Sequence, residues 1–215
     1  MLQATCYRCP APASSREHCP PRALFPRGHR HNLLTVPSCE EHNGRKSQDD
    51  EYLAYVVAVH HQSNAFAEDC QKRLFRAITR RPSLGKKIFH DISPVELEGV
   101  ETGAFSVDMG RLNRGLEAIV AGLYFRDQGR PMRHVPRVHT DAFYWKDDKS
   151  ALVRDPDMDA LQAIVDQGLQ SAPLKSENPD VFWYRSMYQP DGRFVMQMKF
   201  FRGLTVAALA DAPPA

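Results

Sequence analysis

The chain has 215 residues, of which 42% are hydrophobic and 25% are charged, and its formal net charge is +2. This composition suits one sizeable folded domain, or a small module joined to a larger one, and disfavours a disordered chain. The sequence contains no run of about 18 apolar residues, and its first residues lack the basic start and apolar core of a secretory signal. We therefore expect a cytoplasmic protein that does not associate with membranes.

The first 50 residues contain two pairs of metal-ligand residues. Cys6-Tyr-Arg-Cys9 is a C-x2-C pair, and Cys39-Glu-Glu-His42 is a C-x2-H pair. Together they offer the four soft or borderline ligands that tetrahedral zinc requires. Four of the five cysteines lie in this segment. The segment has too little apolar periodicity to fold without a cross-link such as a bound metal ion. We predict a structural zinc ion held by Cys6, Cys9, Cys39 and His42, with His29 and His31 as nearby alternatives for a metal ligand.

A further series of residues is ordered around these two pairs. Glu17-His18 follows the first pair, Asn32-Leu33 leads into the second, Asn43 comes directly after it, and Arg45-Lys46-Ser47 ends the series. In this order the segment resembles the HNH endonuclease family. Zinc-containing members of that family have an acidic-His pair after the first ligand pair and an Asn-Leu stretch before the second. A His or Asn and then a basic segment follow the second pair. The resemblance covers about residues 5–50. It implies a ββα-metal fold and metal-dependent cleavage of nucleic acid, DNA in preference to RNA, without implying a target.

The resemblance also implies a role for each residue. His18 would be the general base, because a neutral imidazole accepts a proton from water near pH 7. Glu17 and Asn43 would hold a catalytic divalent ion, and their oxygen ligands favour Mg²⁺ or Mn²⁺. The family more often has Asp and His at these two positions. Asn32 would hold the His18 loop or its imidazole by hydrogen bonds. Adjacent strand residues face opposite sides, so Glu17 and His18 could share one site only in a bent or bulged segment.

The middle of the sequence has the pattern of amphipathic helices. Apolar residues recur with a helical period over residues 49–82, with a break near residues 63–64, and Asp108 is a typical cap for a further helix. Residues 71–90 contain seven basic residues and no acidic one. A solvated helix face is one interpretation of this stretch. The other, which we adopt, is contact with nucleic-acid phosphates through Arg73, Arg76 and Arg80, together with Arg45 and Lys46.

The remaining residues have strand and hairpin patterns around one more helix. Residues 103–107 form a short predicted strand, and a helix is predicted from Asp155 or Asp157. Residues 181–188 and 193–201 flank a Pro-Asp-Gly turn, which predicts a β-hairpin, and residues 204–209 add a third strand. The sequence therefore predicts an α+β fold. Its parts are a zinc-stapled ββα-metal module over residues 1–50 and a second region over residues 51–215, which is helical over residues 51–130 and hairpin-rich over residues 131–215, with a C-terminal antiparallel β-meander.

Two other functions are compatible with the sequence. The zinc module could bind nucleic acid without cutting it, in which case Glu17 and His18 would be structural. It could also belong to a protein complex of a defence or mobile-element system, with the C-terminal region as the contact surface. Metal-dependent cleavage by the purified protein, or a co-purified partner without affinity for nucleic acid, would separate these hypotheses from the nuclease.

Overall fold

A computed structural model describes residues 4–44, 47–60, 63–97, 99–132, 134–140, 144–146, 152–154 and 156–210. Its N-terminal part is a small antiparallel hairpin followed by a short helix. Strand β1 (Ser15–His18) pairs with β2 (Thr35–Ser38), with Ser15 opposite Ser38 and His18 opposite Thr35. Helix α1 (Glu40–Gly44) begins two residues after β2. The first ligand pair lies in the turns before β1, and the second pair spans the start of α1.

The connection between β1 and β2 is a long loop that packs against the rest of the protein. It contains two single-turn 3-10 helices, Arg22–Leu24 and Arg27–His29. Leu24 and Phe25 are buried in the main core. The Cys19 backbone N–H donates to the Leu34 carbonyl, with 2.9 Å between nitrogen and oxygen, which closes the loop where the strands end.

The middle of the chain is helical, as predicted. It comprises helices α2 (Ser47–Ala58), α3 (Glu68–Arg80) and α4 (Pro82–Ile88), the hairpin β3 (His90–Leu97) and β4 (Val100–Ser106), and helix α5 (Met109–Gln128). The predicted break lies between α2 and α3, where Asn64 caps a single 3-10 turn. Asp108 caps α5 by accepting a hydrogen bond from the Arg111 backbone. The predicted strand over residues 103–107 belongs to β4, whose partner β3 the sequence analysis did not predict.

The C-terminal part is an antiparallel sheet. The elements in chain order are β5 (Arg137–Thr140), β6 (Tyr144–Lys146), β7 (Leu152–Arg154), α6 (Pro156–Gly168), β8 (Lys175–Asn178), β9 (Phe182–Tyr188), β10 (Phe194–Phe200) and β11 (Leu204–Ala210). Five of these strands form one sheet in the order β5-β11-β10-β9-β8, and β6 pairs with β7. The predicted meander is β9-β10-β11. Strands β5 and β8 extend it on either side.

Helix α5 lies between the N-terminal hairpin and the sheet, and its small residues allow close packing. A Cβ added at Gly115 would lie 3.4 Å from the side chain of Leu53 in α2, and one added at Gly122 would lie 2.5 Å from Cys19 Sγ. On the sheet side, the Tyr124 ring packs edge-on against Tyr188 at a centroid distance of 5.6 Å. The opposite face of the sheet is covered by α6, whose Val165 packs with Ala207.

A single hydrophobic cluster connects all three parts of the chain. It contains Val36 from the hairpin, Leu53 and Ile119 from the helices, and Tyr184 and Met196 from the sheet. The α+β fold with a helical middle and a C-terminal antiparallel sheet is therefore confirmed. The boundary near residue 50 stays a prediction, since apolar contacts cross it. Among the helices that the structure describes, none is both long and apolar enough to span a bilayer.

Candidate metal centre and active site

The two ligand pairs come together in space as a cluster of three cysteines and one histidine, which we call the zinc cluster. The Nδ1 atom of His42 lies 3.5 Å from Cys6 Sγ, 3.6 Å from Cys9 Sγ and 3.2 Å from Cys39 Sγ, and the Cys9 and Cys39 sulfurs are 3.8 Å apart. All four ligand atoms lie within 4.8 Å of one another. Zinc bonds of about 2.3 Å to sulfur and about 2.0 Å to nitrogen give tetrahedral edges of about 3.5–3.8 Å. The zinc cluster could therefore hold one zinc ion.

The surroundings of the cluster favour the metal-binding forms of Cys6 and His42 but not of Cys9. A hydrogen bond from the Ala11 backbone lowers the pKa of Cys9, but burial and the neighbouring Cys39 and Cys6 thiols outweigh it and raise the pKa. Burial raises the pKa of the Cys6 thiol, but hydrogen bonds from the backbone of Arg8, Cys39 and Cys9 outweigh it, so the pKa lies below its usual value. Burial, followed by the charge of Arg8, lowers the pKa of His42 and keeps its imidazole neutral. Thiolate and neutral imidazole are the forms that coordinate metal.

Strand β1 presents Glu17 to the side on which α1 lies. Glu17 is only 5% exposed and accepts a hydrogen bond of 3.3 Å from Ser38 Oγ. Asn43 in α1 reaches the same strand, because its Nδ2 donates to Ser15 Oγ over 2.8 Å. Ser15 and Glu17 are two residues apart on β1 and so share a face. The fold thus brings two of the predicted site residues, Glu17 and Asn43, to one side of the hairpin.

His18 lies on the opposite face of β1 and is partly exposed. This is the alternation that a regular strand requires. Burial, followed by the charge of Arg22, lowers the pKa of His18, while the nearby Glu17 opposes the shift. The imidazole is therefore neutral at pH 7 and able to accept a proton. His18 is the last residue of β1, so the chain leaves the strand directly after it.

Asn32 is exposed at a turn of the loop and has a left-handed backbone, with φ of 54°. Asparagine tolerates this conformation better than most residues do. Within the described part of the chain, no hydrogen bond joins Asn32 to His18. Its predicted role in holding the His18 imidazole is therefore not seen in this geometry, and its contribution to the loop is the turn itself.

The predicted phosphate-binding residues fall into three situations. Arg45 and Lys46 lie outside the described residues. Arg76 and Arg80 are exposed on α3. Arg73 points towards the long loop instead, where its Nη2 donates to the Ala23 carbonyl over 2.6 Å and its Nε pairs with Asp69 at 3.2 Å. Arg73 therefore anchors the loop to α3, a contact across 50 residues of sequence that periodicity could not reveal.

A buried polar cluster between α5 and the sheet was not predicted. The Asp127 carboxylate accepts hydrogen bonds from the hydroxyls of Tyr184, Ser186 and Tyr188 and from Lys175 Nζ, at 2.7 to 3.1 Å. The three hydroxyl residues alternate along β9, which places them on one face. That alternation is a sequence signal, but the acid that they meet lies 57 or more residues earlier.

Comparisons with family models, with curated proteins and with solved structures found no match to this chain. Its function is therefore inferred from the residues of the site.

Proposed function

We propose that this chain is a metal-dependent nuclease of the HNH type, which hydrolyses phosphodiester bonds of nucleic acid, DNA by preference, with His18 as the general base. The observation that carries the proposal is the hydrogen bond from Asn43 to Ser15. It joins the residue after the second ligand pair to the strand that bears Glu17 and His18. Asn43 thus lies beside the strand that carries Glu17 and His18, and the zinc cluster adjoins the start of that strand.

Glu17 and Asn43 would supply the oxygen ligands of a catalytic magnesium or manganese ion. Mg²⁺ is commonly bound by one or two protein carboxylates together with phosphate oxygens of the substrate, so a site needs few protein ligands. Glu17 offers a carboxylate, and Asn43 offers an amide oxygen. When bound, such an ion neutralises charge on the scissile phosphate and on the leaving oxygen.

His18 would take the proton from the attacking water. A neutral imidazole on the exposed side of β1 is open to solvent, as a general base has to be. Glu17 and His18 face opposite sides along the strand, so a phosphate shared by both would sit at the end of β1, where the strand stops. The zinc cluster would fix the other end of the hairpin, where Ser15 pairs with Ser38, against α1.

The test is cleavage of supercoiled plasmid by the purified, zinc-loaded protein with Mg²⁺, Mn²⁺ or no added divalent ion. We expect nicking that depends on the added ion. His18→Ala should lower the rate by about 10²–10⁴, the usual cost of losing a general base, while zinc content and DNA affinity stay unchanged. His90→Ala, which replaces an exposed histidine at the start of β3, is the matched control and should cleave normally. Wild-type rates in folded His18→Ala protein would contradict the assignment.

One observation favours a second candidate, a zinc module that binds nucleic acid without cutting it. Glu17 is almost fully buried and is hydrogen-bonded by Ser38, which is also what a structural carboxylate would show. This candidate predicts binding of duplex DNA with no cleavage under any of the three metal conditions. The plasmid experiment, combined with a binding measurement, separates the two functions.

A further inference from the structure

The long loop between β1 and β2 concentrates positive charge on its surface. Residues 19–34 contain three arginines and no acidic residue. Arg22 and Arg27 are exposed, while Arg30 is partly buried and donates from Nε to the Phe25 carbonyl over 2.9 Å. Burial, followed by the charges of Arg73, Arg22 and Arg27, lowers the pKa of Arg30, and Asp69 alone opposes this shift. The charges of Arg73, Arg22 and Arg27 thus act on the Arg30 guanidinium and repel it.

The packed side of the loop holds these arginines in place. Leu24 and Phe25 are buried, and Arg73 of α3 donates to the Ala23 carbonyl. The His29 ring packs edge-on against Phe66, with the ring centroids 4.9 Å apart. A loop anchored in this way keeps the three arginines near one another, so that some repulsion between them persists however the exposed side chains turn. A bound polyanion would relieve it, since fixed clusters of positive charge attract phosphates.

The loop also begins directly at the proposed catalytic base. His18 ends β1, and Arg22 begins the first 3-10 turn four residues later in the chain. The second 3-10 turn, with Arg27, and then Arg30 follow along the loop. The positive surface therefore runs from His18 outward along the loop.

We propose that Arg22, Arg27 and Arg30 form a phosphate-binding track that carries the nucleic-acid backbone to His18. The proposal rests on the proposed nuclease function for the position of the scissile bond, but its binding role does not depend on cleavage. It differs from a contact through α3, because the charges come from the same loop that leaves the catalytic strand. The chemistry recognised is the phosphodiester backbone, without regard to base sequence.

The test measures binding of a short fluorescein-labelled duplex over a salt series without added magnesium or manganese. For Arg22→Gln/Arg27→Gln, losing two phosphate contacts should make the slope of log affinity against log salt less steep by about 1.8, or about 0.9 for each contact. Arg193→Gln/Arg202→Gln is the matched control. It removes the same charge from exposed ion pairs of the C-terminal sheet and should keep the wild-type slope. Arg22→Lys/Arg27→Lys keeps the positive charges, so its slope of log affinity against log salt should remain close to that of the wild type.

An unchanged slope in Arg22→Gln/Arg27→Gln, or an equal loss in the control, would overturn the track. Failure of the track and failure of the nuclease are separable. Cleavage by the wild type with an unchanged slope in the variant would refute the track alone. A flattened slope in the variant, with no cleavage by the wild type, would support the track and refute the nuclease.

Discussion

At the scale of single residues, we expect zinc bound at the zinc cluster to stabilise the N-terminal hairpin. The four ligands come from the turn before β1 and from the start of α1, and the segment between them buries Leu24, Phe25 and Val36 against the rest of the protein. Structural zinc contributes on the order of 10 kcal/mol to modules of this kind. Shared over four ligands, a contribution of that order is comparable, for each ligand, to the cost of truncating one buried apolar side chain.

Replacement of Cys39 by Ala should weaken zinc binding to below one ion per chain after dialysis and destabilise the hairpin, because a water would have to replace the thiolate as the fourth ligand. His42→Cys should retain zinc, since sites with four cysteine ligands are also tetrahedral. Cys70→Ala is the control. Cys70 is buried in the core away from the cluster, so the variant should keep one zinc per chain. Elemental analysis of the purified proteins decides, and full zinc content in Cys39→Ala would contradict the ligand assignment.

The clustering of three cysteines and one histidine could be predicted from sequence because the two residues of each pair are close together in the chain and their chemistry is specific. The surroundings of Glu17 and Asn32 could not be predicted in the same way. Burial of Glu17 depends on Ser38 and on the packing of α1, and exposure of Asn32 depends on how the long loop folds. Both are set by contacts distant in sequence, which spacing does not record.

At the scale of elements, helix α5 holds the N-terminal hairpin by close contact. Cys19, the first residue of the long loop, is buried against α5, and its Sγ donates to the Ile119 carbonyl over 3.2 Å. Gly122 lies about one turn further along α5 and faces the same sulfur. Because glycine has no side chain, Cys19 fits against the helix at this point. The position of β1, and hence of His18, depends on this contact.

Gly122→Ala should therefore destabilise the protein. The new methyl group would lie 2.5 Å from Cys19 Sγ and 3.1 Å from Cys19 Cβ, so loop or helix must shift. Overpacking of this kind costs about 1–3 kcal/mol, against a gain of up to about 1 kcal/mol in helix propensity. Gly168→Ala in α6 is the control, because its added Cβ meets nothing within 4 Å. Urea unfolding should show a loss only for Gly122→Ala, and the loss should shrink in a Cys19→Ala background.

The boundaries of helices and strands agree with those predicted from the sequence where residues at the boundary itself determine them. The Asp108 cap, the break near residue 64 and the turn between β9 and β10 are all specified by residues at the site of the change. Strands β3 and β8 were not predicted. Residues 175–180 have the composition of a polar loop, yet Lys175–Asn178 forms β8, because it pairs with β9 at the sheet edge. Pairing with a neighbouring strand outweighs weak intrinsic strand propensity.

At the scale of the whole molecule, Asp127 joins the helical layer to the C-terminal sheet. It lies near the end of α5, and its carboxylate is hydrogen-bonded by Lys175 of β8 and by three hydroxyls of β9. Its side chain is 10% exposed, so these contacts replace most of its hydration. The cluster adds a fixed polar contact to an interface that is otherwise apolar, and so sets how the sheet sits on α5.

Asp127→Asn should lower the free energy of unfolding at pH 7 by about 1–3 kcal/mol, the cost of leaving buried polar groups without their partner. Burial raises the pKa of Asp127, but hydrogen bonds from Lys175 and Tyr188 outweigh it and hold the pKa below the ordinary value of 3.8. The carboxylate therefore stabilises the fold fully above that value, and the contribution is lost as the pH falls through the lower folded-state pKa. The difference between wild type and variant should be constant from about pH 8 to 5 and shrink below about pH 4.

Asp191→Asn, at an exposed ion pair with Arg193, should stay close to wild type in the same urea series. A wild-type stability curve for Asp127→Asn would show that apolar contacts alone hold the sheet on α5.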